Sequence, residues 1–126
     1  MANKKFYICR TCGNQITTVI NSGVPPFCCG KKMEELVPNT VEASVEKHLP
    51  AVTVQGSTLV VNVGSVDHPM TAEHYIQWVY VETDAGEQFK YLQPNEAPHV
   101  TFTLDEEKAV AVYAYCNLHG LWKVEL

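Results

Sequence analysis

The feature that most constrains this chain is the segment Tyr113–Trp122, in which an apolar run ends at Cys116 and His119 follows after two residues. A thiolate and an imidazole at this spacing can bind one transition-metal ion, because soft sulfur and borderline nitrogen both suit such metals. Two donors do not complete a metal site. The sequence therefore predicts a fold that brings further donors from distant segments to this one.

Three histidines upstream are the candidates for those further donors: His48, His68 and His74. Each lies at the edge of a strand-like segment, and His68 directly precedes a proline, which restricts the backbone before it. His99 has no comparable setting, and we interpret it as a surface histidine. Four imidazoles and one thiolate suit iron better than structural zinc, which is almost always four-coordinate. Five donors around an octahedral ion leave one position open for a small ligand.

The other four cysteines lie within the first 29 residues, as the pairs Cys9/Cys12 and Cys28/Cys29. An odd total of five fits a cluster of four plus one distant thiol better than a disulfide framework. We predict one tetrahedral metal ion, zinc or iron, since four thiolates suit both. Two disulfides or buried inert thiols are the alternatives. The adjacent pair predicts a distorted site.

The chain is predicted to form two domains, residues 1–37 and 38–126, with the junction at Pro38-Asn39-Thr40. The first has strand candidates at 5–8, 16–20 and 33–37, and is too small to fold without a staple such as a bound metal. The second has seven short strand candidates with turns between them, which predict an antiparallel β-sandwich of immunoglobulin-like type. Those candidates are 51–54, 58–63, 75–83, 88–92, 100–104, 109–116 and 121–126.

Composition excludes several partners. The formal net charge is −5 and no block of Lys and Arg occurs, so we expect no nucleic-acid partner. No apolar run approaches the roughly 20 residues that cross a bilayer, so we expect no membrane partner. The first residues lack the apolar stretch of a signal peptide, and we expect a cytoplasmic protein, in which disulfides are rare.

Four motifs together resemble the desulfoferrodoxins, the two-domain, two-iron form of superoxide reductase, over essentially the whole length. They are Cys9-x-x-Cys12 with Cys28-Cys29, Glu46-Lys47-His48-x-Pro50, His68-Pro69-Met70 with His74-Tyr75-Ile76-x-Trp78, and Cys116-Asn117-Leu118-His119-Gly120-x-Trp122. The resemblance implies a mainly β protein. Its N-terminal domain is desulforedoxin- or rubredoxin-like, and the second domain is the catalytic β-sandwich.

The resemblance also implies two iron ions per chain. Centre I is held by Cys9, Cys12, Cys28 and Cys29. Centre II has His48, His68, His74 and His119 around its equator and Cys116 as the axial ligand.

The implied reaction is the one-electron reduction of superoxide to hydrogen peroxide, which protects an anaerobe from oxygen toxicity. Lys47 matches the family's lysine that attracts superoxide and assists protonation. Glu46 matches the glutamate that occupies the sixth position of ferric iron. Without the resemblance, this pair is typical of a solvated surface ion pair of little energetic worth. The family further implies a rubredoxin or similar small electron donor and a homodimer.

Three other functions are compatible with parts of the pattern. A non-enzymatic electron carrier would use both irons only to shuttle electrons, although carriers usually keep a closed coordination shell. A zinc ribbon fused to a β-sandwich would be a partner-binding module and would be colourless. A superoxide dismutase would also oxidise superoxide, and would therefore evolve oxygen.

Overall fold

The computed structural model describes residues 4–126 of the chain, which divides into two compact units, Met1–Val37 and Pro38–Leu126. No helix within residues 4–126 is long and apolar enough to cross a bilayer.

Within residues 4–37, the first unit contains five very short strands. They are β1 (Phe6–Ile8), β2 (Gln15–Thr17), β3 (Phe27–Cys28), β4 (Lys31–Lys32) and β5 (Glu34–Leu36). Antiparallel pairing gives a three-stranded sheet in the order β2-β1-β5 and a separate β3-β4 hairpin. Tyr7, Cys9 and Met33 form a buried cluster, with Cys28 packed against it. So small a core needs a covalent or metal staple.

The sequence predicted three strands here, and the predicted second strand was too long. It ends at Thr17, and Val19 and Ile20 beyond it are 93% and 85% exposed. The β3-β4 hairpin was not predicted, because its two-residue strands carry no hydrophobic alternation.

The second unit is the predicted antiparallel β-sandwich, and its seven strands match the seven candidates with ends shifted by at most one residue. A one-turn helix, α1 (Val45–His48), precedes them. The strands are β6 (Pro50–Gln55), β7 (Thr58–Val63), β8 (Ile76–Thr83), β9 (Glu87–Tyr91), β10 (His99–Thr103), β11 (Ala109–Cys116) and β12 (Gly120–Glu125). One sheet has the order β10-β7-β6 and the other β12-β11-β8-β9. The mainly β fold class is confirmed.

Alternating apolar residues on the facing sides of the two sheets form the core. On β7, Leu59, Val61 and Val63 are fully buried, while Val60 and Asn62 between them are only partly buried. β11 is buried on both sides from Ala111 onward, as expected for a strand with a neighbour on each edge. Cys116 belongs to this same core cluster. The last residue of β11 therefore brings a thiol to one end of the core.

Aromatic rings cover the other face of the four-stranded sheet. Trp78 on β8 stacks on Tyr115 of β11, with ring centroids 5.7 Å apart and planes 10° apart. Two positions further along the same two strands, the rings of Tyr80 and Tyr113 meet edge to face with centroids 5.3 Å apart. Cross-strand aromatic pairs stabilise sheets beyond their buried area. They fix β8 and β11, the two strands whose ends adjoin His74 and Cys116.

Candidate metal centres

The four N-terminal cysteines lie together with the spacing of a tetrahedral metal site. Their sulfur atoms all lie within 4.8 Å of one another, with Sγ–Sγ distances of 3.6 Å for Cys12–Cys28 and 3.9 Å for Cys28–Cys29. A tetrahedral ion with metal–sulfur bonds near 2.3 Å separates its ligands by about 3.8 Å. A disulfide needs about 2.05 Å. All five cysteines are free, so the disulfide alternative is absent from this structure.

The backbone at Cys29 explains how two adjacent cysteines reach the same point. Cys29 has φ 52° and Gly30 has φ 74°, both in the left-handed region. Such a turn is unfavourable for a residue with a side chain. It reverses the chain within the β3-β4 hairpin, so that both thiols of the pair face the cluster.

The sulfur atoms hold their protons unequally. The pKa of Cys9 is lowered to about 6, chiefly by the backbone N–H of Cys12. The pKa of Cys29 is raised to about 12, chiefly by its hydrogen bond with Cys12. A metal ion bound here displaces the remaining protons, and its affinity must rise with pH.

The second cluster is assembled from separate segments at one end of the sandwich. His48 ends α1, His68 and His74 lie in the connection between β7 and β8, and Cys116 ends β11. One donor atom from each of these four residues lies within 4.8 Å of all the others. His119, in the β11-β12 turn, places Nδ1 3.1 Å from Nε2 of His48 and 3.9 Å from Sγ of Cys116.

Two of these imidazoles face each other in a way that only a cation can stabilise. Nδ1 of His48 lies 2.6 Å from the Ser44 carbonyl oxygen, and Nδ1 of His68 lies 2.6 Å from that of Pro69. Each Nδ1 must therefore carry the proton, which leaves each neutral ring a lone pair on Nε2. These two Nε2 atoms are 3.1 Å apart. Two ligands at 90° on one ion, with bonds near 2.1 Å, lie about 3.0 Å apart.

Burial keeps these rings neutral. Desolvation lowers the pKa of His68 to about 4 and also lowers the pKa values of His48 and His74. Nε2 of His74 is buried, and no hydrogen-bond partner for it exists among residues 4–126. An orphaned buried nitrogen is costly unless it binds something. The donor set thus fits a transition-metal ion that accepts several neutral imidazoles.

Cys116 supplies the cluster's anionic donor from the buried side. Its side chain is fully buried, and burial raises the pKa of its thiol, although the N–H groups of Leu118 and His119 oppose this. The His119 N–H lies 3.4 Å from Sγ. Gly120, which pairs with Cys116 across the hairpin, has φ 80°, a conformation that glycine adopts without strain.

The turn carrying His48 is braced by the loop that follows β7. The N–H of Val66 donates to the Glu46 carbonyl at 2.9 Å, and the Ser65 hydroxyl donates to the same oxygen at 3.2 Å. Gly64 lies so close that a Cβ there would meet the Glu46 oxygen at 2.6 Å and the Leu49 oxygen at 2.8 Å. No sequence pattern singled out Gly64, because the contact joins segments far apart in the chain.

Trp122 also contacts the cluster. Its ring stacks on His48 with centroids 5.0 Å apart, and its Nε1–H donates to the His119 carbonyl at 3.1 Å. The Gly-x-Trp pattern pointed to the residue but not to this contact.

The two remaining sequence candidates lie beside the cluster rather than in it. Lys47 is half-buried and Glu46 is exposed. Lys47 is close enough to help disfavour the protonated form of His48. His99 lies outside the cluster, with its Nε2 2.9 Å from the Asp67 carboxylate.

Comparison with known proteins gives the same family over nearly the whole chain. The sequence profile described as Desulfoferrodoxin matches residues 40–125. A desulfoferrodoxin from Desulfarculus baarsii is 41% identical over 122 residues, covering 96% of this chain and 95% of that protein. The crystal structure of the superoxide reductase from Treponema pallidum aligns with a TM-score of 0.83 at 37% identity, over 98% of this chain and 99% of that one.

A shorter protein matches only part of this chain. The superoxide reductase (1Fe-SOR) from Giardia intestinalis aligns with a TM-score of 0.54 at 33% identity, over 64% of this chain but 99% of its own. The chain belongs to the desulfoferrodoxin family, and its two clusters, one of four cysteines and one of four histidines with one cysteine, are consistent with the two irons of the family's two-iron form.

Proposed function

We propose that this protein is a superoxide reductase. The reaction takes one superoxide, one electron and two protons to one hydrogen peroxide. The observation that carries the proposal is the convergence of four imidazoles and one buried thiol on a single point, with the lone pairs of His48 and His68 facing each other. The relatives named superoxide reductase support the same activity.

The proposed ligands of this iron, centre II, are His48, His68, His74, His119 and Cys116. These five side chains would hold an iron ion, which would supply the single electron that the reaction needs. Neutral imidazoles and one thiolate leave the site with low ligand charge, which suits the binding of a small anion. Cys116 approaches from the buried core, whereas Glu46 and Lys47 lie toward solvent. We therefore assign superoxide entry to the side of Glu46 and Lys47.

Lys47 has the task of attracting superoxide against an unfavourable overall field. Residues 38–126 hold four lysines against twelve aspartates and glutamates, a formal net charge of −8. Such a surface repels an anion, and local positive charge can offset it over a short range. Lys47 lies on the α1 turn directly before His48, and its ammonium group can donate protons, through water, toward the product. Glu46 is exposed on the same turn, and its carboxylate would be available as a further ligand to iron held at centre II.

The four cysteines at 9, 12, 28 and 29 are the proposed ligands of centre I. We propose residues 1–37 as its domain and residues 38–126 as the catalytic domain. A rubredoxin or similar small carrier is the proposed donor, and the proposed assembly is a cytoplasmic homodimer. Centre I either relays electrons or staples its small domain.

Two matched cysteine variants test where the reaction occurs. Cys116→Ser removes the thiolate from centre II, and we expect superoxide consumption by the reduced protein to fall to the spontaneous background. Cys12→Ser disrupts centre I, and we expect consumption to survive with an external donor. Consumption that survives Cys116→Ser and is lost with Cys12→Ser would contradict the proposal. A colourless zinc-loaded protein that consumes no superoxide would instead indicate a binding module.

A further inference from the structure

The rings of centre II are not all held in the same way. His48 and His68 are oriented by hydrogen bonds from their own Nδ1 atoms to backbone carbonyls. For the ring of His74, no such carbonyl is present in the described part of the chain. Ligand histidines usually donate their second nitrogen to a partner that fixes the ring. The position of His74 must therefore be set through its backbone.

Two side chains fix that backbone. Thr71 holds His74 itself. The Thr71 N–H donates to the His74 carbonyl at 3.0 Å, and the His74 N–H donates to the Thr71 carbonyl at 3.2 Å. The Thr71 hydroxyl also accepts from the His74 N–H at 3.1 Å. These contacts are local, within a four-residue turn, and tie His74 to nothing outside its own loop.

Asn117 supplies the connection to the rest of the site. Its Nδ2 donates to the Glu73 carbonyl at 2.9 Å, and its Oδ1 accepts from the Tyr75 N–H at 2.9 Å. Its own N–H donates to the Tyr75 carbonyl at 3.2 Å. One side chain thus bonds the peptide groups on both sides of His74, and that side chain belongs to the residue directly after Cys116.

We infer that Asn117 is a positioning residue that fixes His74 relative to Cys116. The amide side chain joins the loop that bears the His74 imidazole to the turn that bears the Cys116 thiol. Its loss removes both side-chain bonds to the peptide groups that flank His74 and leaves only the residue 117 N–H bonded to the Tyr75 carbonyl, so the donor is less well placed. The inference rests on the proposal that His74 and Cys116 bind the same iron.

The first test measures iron loss from the holoprotein to a chelator, with each iron followed by its own visible absorption. Outer-sphere partners of ligands typically contribute 10- to 100-fold to metal affinity. Asn117→Ala should therefore release centre II iron at least about tenfold faster. Centre I iron should leave at the wild-type rate, and serves as an internal reference. Equal rates of centre II iron loss in wild type and variant would overturn the inference.

Asn39 offers a matched control. Its Oδ1 accepts from the Lys123 N–H at 2.9 Å, and its Nδ2 donates to the Lys123 carbonyl at 3.0 Å. Neither Asn39 nor Lys123 is a proposed metal ligand. Asn39 has φ 62°, so Asn39→Gly removes the amide without backbone strain. We expect Asn39→Gly to keep the wild-type rate of centre II iron loss. The same acceleration in both variants would show a general loosening of the domain and would overturn the inference.

The second test uses the isosteric Asn117→Asp, which keeps the fold accessible even where alanine does not. The carboxylate still accepts from the Tyr75 N–H but cannot donate to the Glu73 carbonyl. We expect the Tyr75 amide to exchange slowly in Asn117→Asp and quickly in Asn117→Ala, while both lose centre II iron faster. A wild-type iron-loss rate in Asn117→Asp would contradict the bridging role. Neither readout involves superoxide, so failure here and failure of the proposed activity are separate results.

Discussion

The buried imidazoles of centre II make the metal-free protein sensitive to acid, and His68 dominates this effect. Its side chain is only 2% exposed, and burial lowers its pKa to about 4. An unfolded chain binds a proton at His68 near its ordinary pKa of 6.5, whereas the folded chain does not until about pH 4. The contribution of His68 to folding stability is therefore fully present above pH 6.5 and is lost as the pH drops toward 4.

We predict that His68 alone lowers the free energy of unfolding of the metal-free protein by about 3 kcal/mol between pH 7 and pH 4. His48 and His74, whose pKa values are lowered for the same reason, add to the loss. Urea unfolding followed by tryptophan fluorescence measures it, because Trp78 and Trp122 both lie in the β-sandwich unit. His68→Gln should flatten the pH dependence. A slope unchanged by His68→Gln would contradict this account.

The residue types at the two centres were predictable, but the contacts that hold them were not. Cys116 and the histidines stood out because sulfur and imidazole are unusual near strand ends. His119 turns its Nδ1 toward the cluster, whereas His48 turns its Nε2. This difference depends on ring orientation, which no sequence pattern encodes. The bridge made by Asn117 joins residues 42 and 44 positions apart, and an asparagine in a turn usually bonds only its own local backbone.

Among the elements, the loop after β7 packs so closely against the α1 turn that their contact leaves no room for a larger residue at position 64. A Cβ at Gly64 would lie 2.6 and 2.8 Å from two backbone oxygens, and backbone atoms cannot rotate away as a side chain can. The α1 turn carries Glu46, Lys47 and His48, so any shift there moves a donor and both candidate catalytic groups.

We predict that Gly64→Ala destabilises the protein by about 1–3 kcal/mol, the usual range for overpacking, and weakens iron binding at centre II. Gly86→Ala is the matched control, since a Cβ there meets only the Glu107 carboxylate at 3.6 Å. Thermal unfolding and chelator competition measure the two effects. Gly64→Ala with wild-type stability and wild-type iron retention would contradict the bracing role of this loop.

Element by element, strong apolar alternation was the reliable signal. It located the β7 and β11 strands, and the apolar residues on both faces of β11 agree with its position between two neighbouring strands. The β3-β4 hairpin was missed, since its strands are two residues long and are ordered by the cysteine cluster rather than by hydrophobic burial. The α1 turn was missed because it is four residues long and the Ser44 side chain makes no capping hydrogen bond.

At the scale of the whole molecule, charge is divided unequally along the chain. Residues 1–37 carry five basic and two acidic residues, a formal net charge of +3 before any metal binds, against −8 for residues 38–126. A small anion approaching centre II therefore meets a repulsive field, which salt screens over about 10 Å at 0.1 M ionic strength.

We predict that Lys47→Ala retains both irons but reacts more slowly with superoxide, and that the deficit is larger at low ionic strength. Removing the local cation leaves the repulsion of the domain unopposed, and dissolved salt then screens that repulsion. Lys90→Ala, a charge change on β9, provides a control for net charge alone. Pulse generation of superoxide at several salt concentrations measures the bimolecular rate constants. Equal rate constants for Lys47→Ala and wild type would exclude the steering role.

As a superoxide reductase, this protein should reduce superoxide without oxidising it. The most direct measurement is a count of products when the reduced protein is mixed anaerobically with a known amount of superoxide. Reduction predicts about one hydrogen peroxide per superoxide consumed and no oxygen beyond the spontaneous background. Peroxide and oxygen formed in equal amounts would show a dismutase and contradict the claim, and consumption no faster than background would show that the centres only carry electrons or stabilise the fold.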